Sequence, residues 1–231
     1  ARAIAGEWER FGQQVSAMKG LTSGRLSVAV VSTAKYFVPR LLGGFCEKHP
    51  SIDIALEVLN RDGVVQRLRE NRDDLYVMSQ PPSDMDLHDQ VFLDNPLHLI
   101  APVGHPLAQR QRVALKALAQ ERFILRERGS GTRLATDRHL SAAGFAPALT
   151  LELGSNEALK EAVAAHLGVG IVSRHALKAD EIGRDLVLLP VSGFPIRSQW
   201  HLVHPRAKQL SPIARVFREH LLGNAALWAP A

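Results

Sequence analysis

Between residues 25 and 222 short apolar runs alternate with amphipathic stretches, and this constrains the fold more than any other feature. "RLSVAVV", "IDIALEVL" and "LYVMS" read as strands. "YFVPRLLGGFCEKHP" reads as a helix closed by Pro50. "RDGVVQRLRENRDD" reads as a helix with Val64, Val65 and Leu68 on its inner side. "LHDQVFLDNPLHLIAPV" is two strands or one bent strand. Strands separated by helices need crossover connections, so the pattern predicts an α/β chain with a parallel, doubly wound sheet.

The order then repeats. "RFILRE", "ALTLELG", "VGIVSRHAL", "LVLLPV" and "QWHLVHP" read as strands. "GSGTRLATDRHLSAAG", "SNEALKEAVAAHLG" and "SPIARVFREHLL" read as helices, the second ending at Gly168 as its C-cap. Ser211 is the expected N-cap of the last helix, with Pro212 at its first position. Two such halves predict two small α/β lobes with a cleft between them. Ligands of open α/β sheets sit at the carboxyl ends of strands, beside helix N-termini. Three turns qualify: Ser32-Thr33, Gly129 to Thr132, and Gly154 to Asn156.

"RERGSGTR" is rich in donors. Gly129 and Gly131 permit close backbone approach, Ser130 and Thr132 carry hydroxyls, and the helix start offers free N–H groups. Arg126, Arg128 and Arg133 flank it, so an anion is the obvious guest; the plainer reading is a strand-to-helix turn with solvated arginines. Ser155 reads as a helix cap more readily than as a ligand, with Asn156 beside it facing a cleft. Ser32 and Thr33 read as helix caps, ligand holders, or both.

Other chemistry has little support. The glycine turn lacks the GxxxxGK[ST] of a P-loop, and no G-x-G-x-x-G opens either half. Neither a G-x-S-x-G elbow nor H-E-x-x-H occurs. His201 and His204 form an H-x-x-H, but on a strand they face opposite sides, which argues against a metal pair. His98, His105 and His139 read as loop or surface residues. The single cysteine, Cys46, reads as a semi-buried structural thiol and fits a reducing compartment. A net charge of +5 from scattered basic residues does not indicate a DNA-binding surface. No apolar run approaches the ~20 residues that span a bilayer. The start lacks both Met and a signal-peptide core, so a fragment or a processed product is expected; a cytoplasmic setting is a separate expectation. There Ile4, Trp8, Phe11, Val15 and Met18 form one apolar helical stripe that ends at Gly20.

Five stretches taken together resemble a known family. "SGRLSVAVVSTAKYFVPRLLGGFCEKHPSIDIALEV", "HLIAPVGHPLA", "RERGSGTR", "LGSNEALKEAVAAHLGVGIVS" and "SPIARVFREHLL" are similar to the effector-binding part of LysR-type transcriptional regulators, in order and over nearly the whole chain. "VSTAKYF", "GSGTR" and "GSNEA" look like the subgroup that controls carbon-fixation operons.

The resemblance implies two subdomains of the type 2 periplasmic-binding-protein kind, joined by a two-strand hinge. Residues 24–99 with 202–225 would form the first and 100–201 the second, while 1–19 would end a linker helix used in dimerisation. The effector would be held by Ser32 and Thr33 of the first, and by Arg126, Ser130, Gly131, Thr132, Ser155 and Asn156 of the second. No resident cofactor or metal is implied. The implied effector is an anionic metabolite: a sugar phosphate such as ribulose bisphosphate, phosphoglycolate, phosphoenolpyruvate, or NADPH. Members often carry Gly or Arg where this chain has Gln80. Implied partners are further copies in a dimer or tetramer, RNA polymerase, and DNA through an N-terminal winged helix-turn-helix outside this sequence, but not a membrane. Phe37, Leu41, Leu42 and Phe45 are either a self-association face or core. The rival readings are a solute-binding protein for a small anion and an enzyme on the same two-lobed fold. The latter would need a general base or a metal.

Overall fold

The computed structural model describes residues 24–229. The helical stripe expected over 1–19 lies outside them. The chain divides into two compact units, one running up to Leu93 and resuming at His201–Ala229, the other Asp94–Trp200. Each carries a five-stranded sheet.

Numbered in chain order, the first sheet holds β1 (Gly24–Val31), β2 (Ile52–Leu59), β3 (Leu75–Met78), β4 (Leu87–Asp94) and β10 (Gln199–Pro205). Their order is β2-β1-β3-β10-β4. β1 runs parallel to β2 from Gly24 opposite Ile52 to Val31 opposite Leu59, and parallel to β3. β10 is antiparallel to β3. The sheet is therefore mixed, which corrects the all-parallel expectation. β1 to β3 are joined by helices and must run the same way, whereas β10 arrives from the second unit and is free of that constraint. Val28, Ala29 and Val30 of β1 are all fully buried, as a strand covered on both faces requires.

Helix α1 (Val38–Lys48) ends before His49, which adopts φ −134° and ψ 64°. The following Pro50 excludes the helical region at that residue. Phe37, Leu41, Leu42 and Phe45 are all buried, so these side chains belong to the core and cannot be a self-association face. Phe45 meets Phe217 of α5 (Pro212–Asn224) edge to face at 5.1 Å. Cys46, one residue on, is exposed, against the semi-buried expectation. Helix α2 (Arg61–Arg69) is capped by Asn60, whose side chain accepts from Gly63 N at 3.0 Å. As the pattern predicts, Val64, Val65 and Leu68 are its buried residues.

The second sheet is β7-β6-β8-β5-β9. Its strands are β5 (Leu97–Pro102), β6 (Arg122–Arg126), β7 (Ala148–Leu153), β8 (Val169–Ser173) and β9 (Leu186–Leu188). β6 is parallel to β7 and β8; β5 is antiparallel to β8 and β9, so this sheet is mixed as well. "LHDQVFLDNPLHLIAPV" forms two strands, β4 and β5, broken at Asn95-Pro96. Leu97 to Leu99 therefore lie in the second sheet, ahead of the division expected at 99/100. Alternate residues feed two cores, one on each face. Leu97, Leu99, Phe123, Leu125 and Ile171 enter one core, and Ile100, Ile124 and Val172 enter the other with Leu159 and Val163.

Helices α3 (Gly131–Ala142) and α4 (Asn156–Ala164) pack on this sheet. α4 stops four residues before Gly168, and His166, at φ 62°, supplies the left-handed turn. Gly168 is needed for another reason: a Cβ there would strike the Arg122 carbonyl of the neighbouring strand.

Burial is the main cause that lowers the imidazole pKa of His98, His175 and His204. Arg174 adds to it at His98 and His175, and His88, Arg218 and Lys208 add to it at His204. Hydrogen bonds to the Asp94 and Pro205 carbonyls act the other way on His175 and His204. These rings stay neutral in the folded chain where the unfolded chain already binds protons, so stability falls as pH drops below about 6.5. Urea unfolding should show a lower midpoint at pH 5.5 than at pH 7.5, by the direction of these shifts. An unchanged or higher midpoint at the acid end would contradict it.

Candidate functional site

The turn after β6 is the most distinctive in the second unit. Gly129 sits at φ 91°, a left-handed conformation that lets the chain double back into α3. Ser130 N donates to the Glu127 carbonyl at 3.1 Å and closes the turn. Ser130 then takes the N-cap position of α3 but makes no side-chain cap bond. Among the described residues, the three other α-helix starts with a Ser or Asn at this position do close. Asn60, Ser155 and Ser211 each accept from a backbone N–H of the first turn. Ser130 is 3% exposed and Thr132 5%, and Gly131 is buried between them. A twelve-residue helix thus starts with its first N–H groups uncapped by a side chain, next to two buried hydroxyls. Those N–H groups and the helix dipole favour an anion.

The second turn lies close by. Ser155 caps α4 by accepting from Ala158 N at 3.0 Å, and its O–H remains a donor. Asn156 is 1% exposed, and its Oδ1 accepts from Arg126 Nη1 at 2.9 Å. The structure therefore brings Arg126, Ser155 and Asn156 together, with Ser130, Gly131 and Thr132 on the turn that follows β6.

Two of the three arginines depart from the plainer sequence reading as solvated charges. Arg126 is 1% exposed and bonded to Glu127. Arg133 is 8% exposed and bonded to Asp137 and Glu152. Those hydrogen bonds raise the Arg133 pKa against the lowering effect of burial. The Glu152 carboxyl is lowered chiefly by Arg133. Arg128 alone among the three is exposed. The i,i+4 spacing of Arg133 and Asp137 was legible in sequence. The pairing of Arg133 with Glu152 on β7, across the sheet, was not.

In the first unit, Ser32 and Thr33 do not cap α1. They open a short 3₁₀ turn, Ser32–Tyr36, with Val31 at its N-cap, and Thr33 is 5% exposed. α1 itself starts after Phe37, with Pro39 in its first turn. Gln80 adopts φ 62°, and its carbonyl accepts from Arg61 Nε at 2.7 Å. That contact gives the backbone of residue 80 a structural use.

The histidines are engaged locally. His201 Nδ1 lies 2.6 Å from Asp89, while His204 stacks on His88 and bonds the Pro205 carbonyl. His98 lies within β5 and His139 within α3, where it meets Phe194 edge-on, so neither is a loop residue. No cluster of three or more His, Cys, Asp or Glu suited to a metal occurs among the described residues. No helix among them is long and apolar enough to cross a membrane.

The LysR substrate binding domain profile matches residues 19–226. The RuBisCO operon transcriptional regulator of Acidithiobacillus ferrooxidans is 42% identical over 218 residues, covering 94% of this chain and 71% of that protein. The transcriptional activator CmpR of Synechocystis is 39% identical over 94% of this chain and 71% of its own length. Among solved structures, the regulatory domain of Synechocystis CcmR in complex with 2-PG is similar at TM-score 0.85 and 43% identity, over 88% of this chain and 98% of that one. The QuiR effector-binding domain, 18% identical at TM-score 0.78 over 89% of this chain and 98% of that one, shares the fold. The two-sheet α/β architecture is thus the type 2 periplasmic-binding-protein-like fold of these effector-binding domains. With that fold, and with the profile matched from residue 19 to residue 226, the chain belongs to the LysR substrate-binding domain family.

Proposed function

We propose that this chain senses a small phosphorylated or carboxylated metabolite for a regulator of carbon-fixation genes, with the anion seated on the α3 start. The observation that carries the anion is the start of α3. There a buried serine holds the cap position without capping, next to Gly131 and the Thr132 hydroxyl. Neutral donors of this kind suit a phosphate or carboxylate. The kinship with the RuBisCO operon regulator and with the CcmR domain bound to 2-PG supports both the regulatory role and the class of ligand. 2-Phosphoglycolate is the first effector to test, followed by ribulose bisphosphate, phosphoenolpyruvate and NADPH. The matched relatives are regulators of transcription, and no catalytic step is assigned to the site. Self-association to a dimer or tetramer, contact with RNA polymerase and a cytoplasmic setting belong to the same proposal and rest on the family alone.

Calorimetric titration with 2-phosphoglycolate tests the reading. Ser130→Ala and Thr132→Ala each remove a hydrogen bond to a charged group. Affinity should fall by about 1.5–3 kcal/mol in each, which is roughly ten-fold to more than a hundred-fold. Thr33→Val keeps the side-chain shape and tests the hydroxyl of the first unit by itself. If all three variants bind as tightly as the parent chain, the ligand sits elsewhere.

A further inference from the structure

We infer that Arg126 is a positioning residue, one that fixes the two polar turns of the second unit against each other instead of touching the effector. The inference rests on the proposed site and adds a side chain that acts through others. Arg126 ends β6 and is 1% exposed. Its fork spreads over both turns. Nε and Nη2 donate to the two carboxylate oxygens of Glu127 at 2.8 and 3.0 Å. Nη1 donates to Asn156 Oδ1 at 2.9 Å, and Nη2 also reaches the Gly154 carbonyl at 3.3 Å. From the other side, Arg133 Nη1 donates to the Arg126 carbonyl at 2.8 Å.

Glu127 leads directly into the anion turn, since its carbonyl accepts from Ser130 N. One planar guanidinium therefore ties residue 127, where the glycine turn begins, to residues 154 and 156 of the other turn. A lysine, with a single point charge, cannot span these acceptors in the same way.

Charge counting points in the same direction. Arg126 is bonded to Glu127, and Arg133 to Asp137 and Glu152. The exposed Arg128 reaches Glu152 only through its backbone N–H, and its side chain brings the count to three cations against three carboxylates. The arginine-rich stretch thus adds no net local charge. Binding then depends on aimed N–H groups and hydroxyls, whose benefit falls steeply with misalignment. That makes the residue that aims them decisive.

Hydrogen exchange on the ligand-free chain tests the link without relying on the proposed function. In Arg126→Gln, amides of residues 129–132 and 154–158 should exchange roughly ten-fold faster or more, while those of α5 keep the parent rate. Parent-like exchange in either turn overturns the inference. Calorimetry with 2-phosphoglycolate at about 0.05 M and about 0.5 M salt forms the second arm, since screening differs several-fold between them. Affinity should fall roughly ten-fold or more, as when groups behind a ligand shell are removed. The ratio of the two Kd values should match the parent. A ratio that collapses towards one makes Arg126 a charge ligand of the effector and overturns the inference. If Arg126→Gln does not fold, Arg126→Lys, which keeps the charge and loses the fork, is read by exchange alone: faster exchange at both turns supports the inference, and parent-like exchange in either overturns it. Faster exchange at both turns, with no 2-phosphoglycolate binding even by the parent, upholds the positioning role and removes the proposed effector class.

Discussion

Replacing Arg67 by Met is expected to lower the unfolding free energy by about 3–5 kcal/mol, among the largest single-site losses in the first unit. Asp73 has a side chain only 1% exposed, and its partner Arg67 is 21% exposed. Nε and Nη2 of Arg67 donate to the two Asp73 carboxylate oxygens at 2.8 and 2.7 Å. The hydrogen bond to Asp73 is the first cause that holds the Arg67 pKa above its ordinary value. The Asp73 backbone is fixed as well: its N–H donates to the Tyr76 hydroxyl, and its carbonyl accepts from Lys208 Nζ. The carboxylate therefore cannot turn out to water when its partner is lost. Met keeps most of the apolar stem, so the loss reports charge more than packing. Urea titration of single and double variants decides the matter. Arg67→Met with Asp73→Leu, which removes both charges, should recover most of the loss, as replaced buried pairs do elsewhere. A double variant as unstable as the single one would place the cost in packing.

Phe217→Ala should cost a similar amount, about 3–5 kcal/mol. Phe217 and Phe45 are both fully buried, and their rings meet at 5.1 Å and 78°. Phe45 also packs on His49 at 4.6 Å and His220 at 5.6 Å. α5 enters this core from the far end of the chain, so an alanine there leaves a cavity that no flexible loop can fill. Chemical unfolding gives the magnitude and hydrogen exchange the location. Exchange in β1 should speed up, and Phe217→Leu should lose clearly less than Phe217→Ala. Equal losses for the two would mean that the site collapses around either residue, and the cavity argument would fail.

Local pattern predicts the cap at some helix starts and not at others. Ser155 and Ser211 were legible as caps because each precedes a periodic apolar stretch, and both do cap. Ser130 has the same local pattern but does not cap, for its surroundings are set by β6 and the Gly129 turn. Ser32 and Thr33 read as caps, ligand holders or both, yet the chain inserts a 3₁₀ turn first, and the helix then starts at Val38 with Pro39 in its first turn. Gly168 looked like a helix end. Its real constraint is the Arg122 carbonyl, forty-six positions earlier in sequence and adjacent in the sheet.

What the sequence determined by itself is what depends on neighbours within a few residues. Strand and helix periods, most caps, the inner face of α2, and the presence of donor-rich turns after β6 and β7 all follow from such short-range preferences. Tertiary structure decided what depends on partners far along the chain. Strand direction is one case: β10 returns from the second unit with no crossover helix to orient it, and runs antiparallel to β3. Charge is the other. The arginines of "RERGSGTR" look like an electropositive cradle in sequence, but folding places Glu152 against Arg133 and the Asn156 amide against Arg126. A buried cation must find acceptors wherever the fold supplies them, because leaving it unpaired costs far more than any local preference can repay.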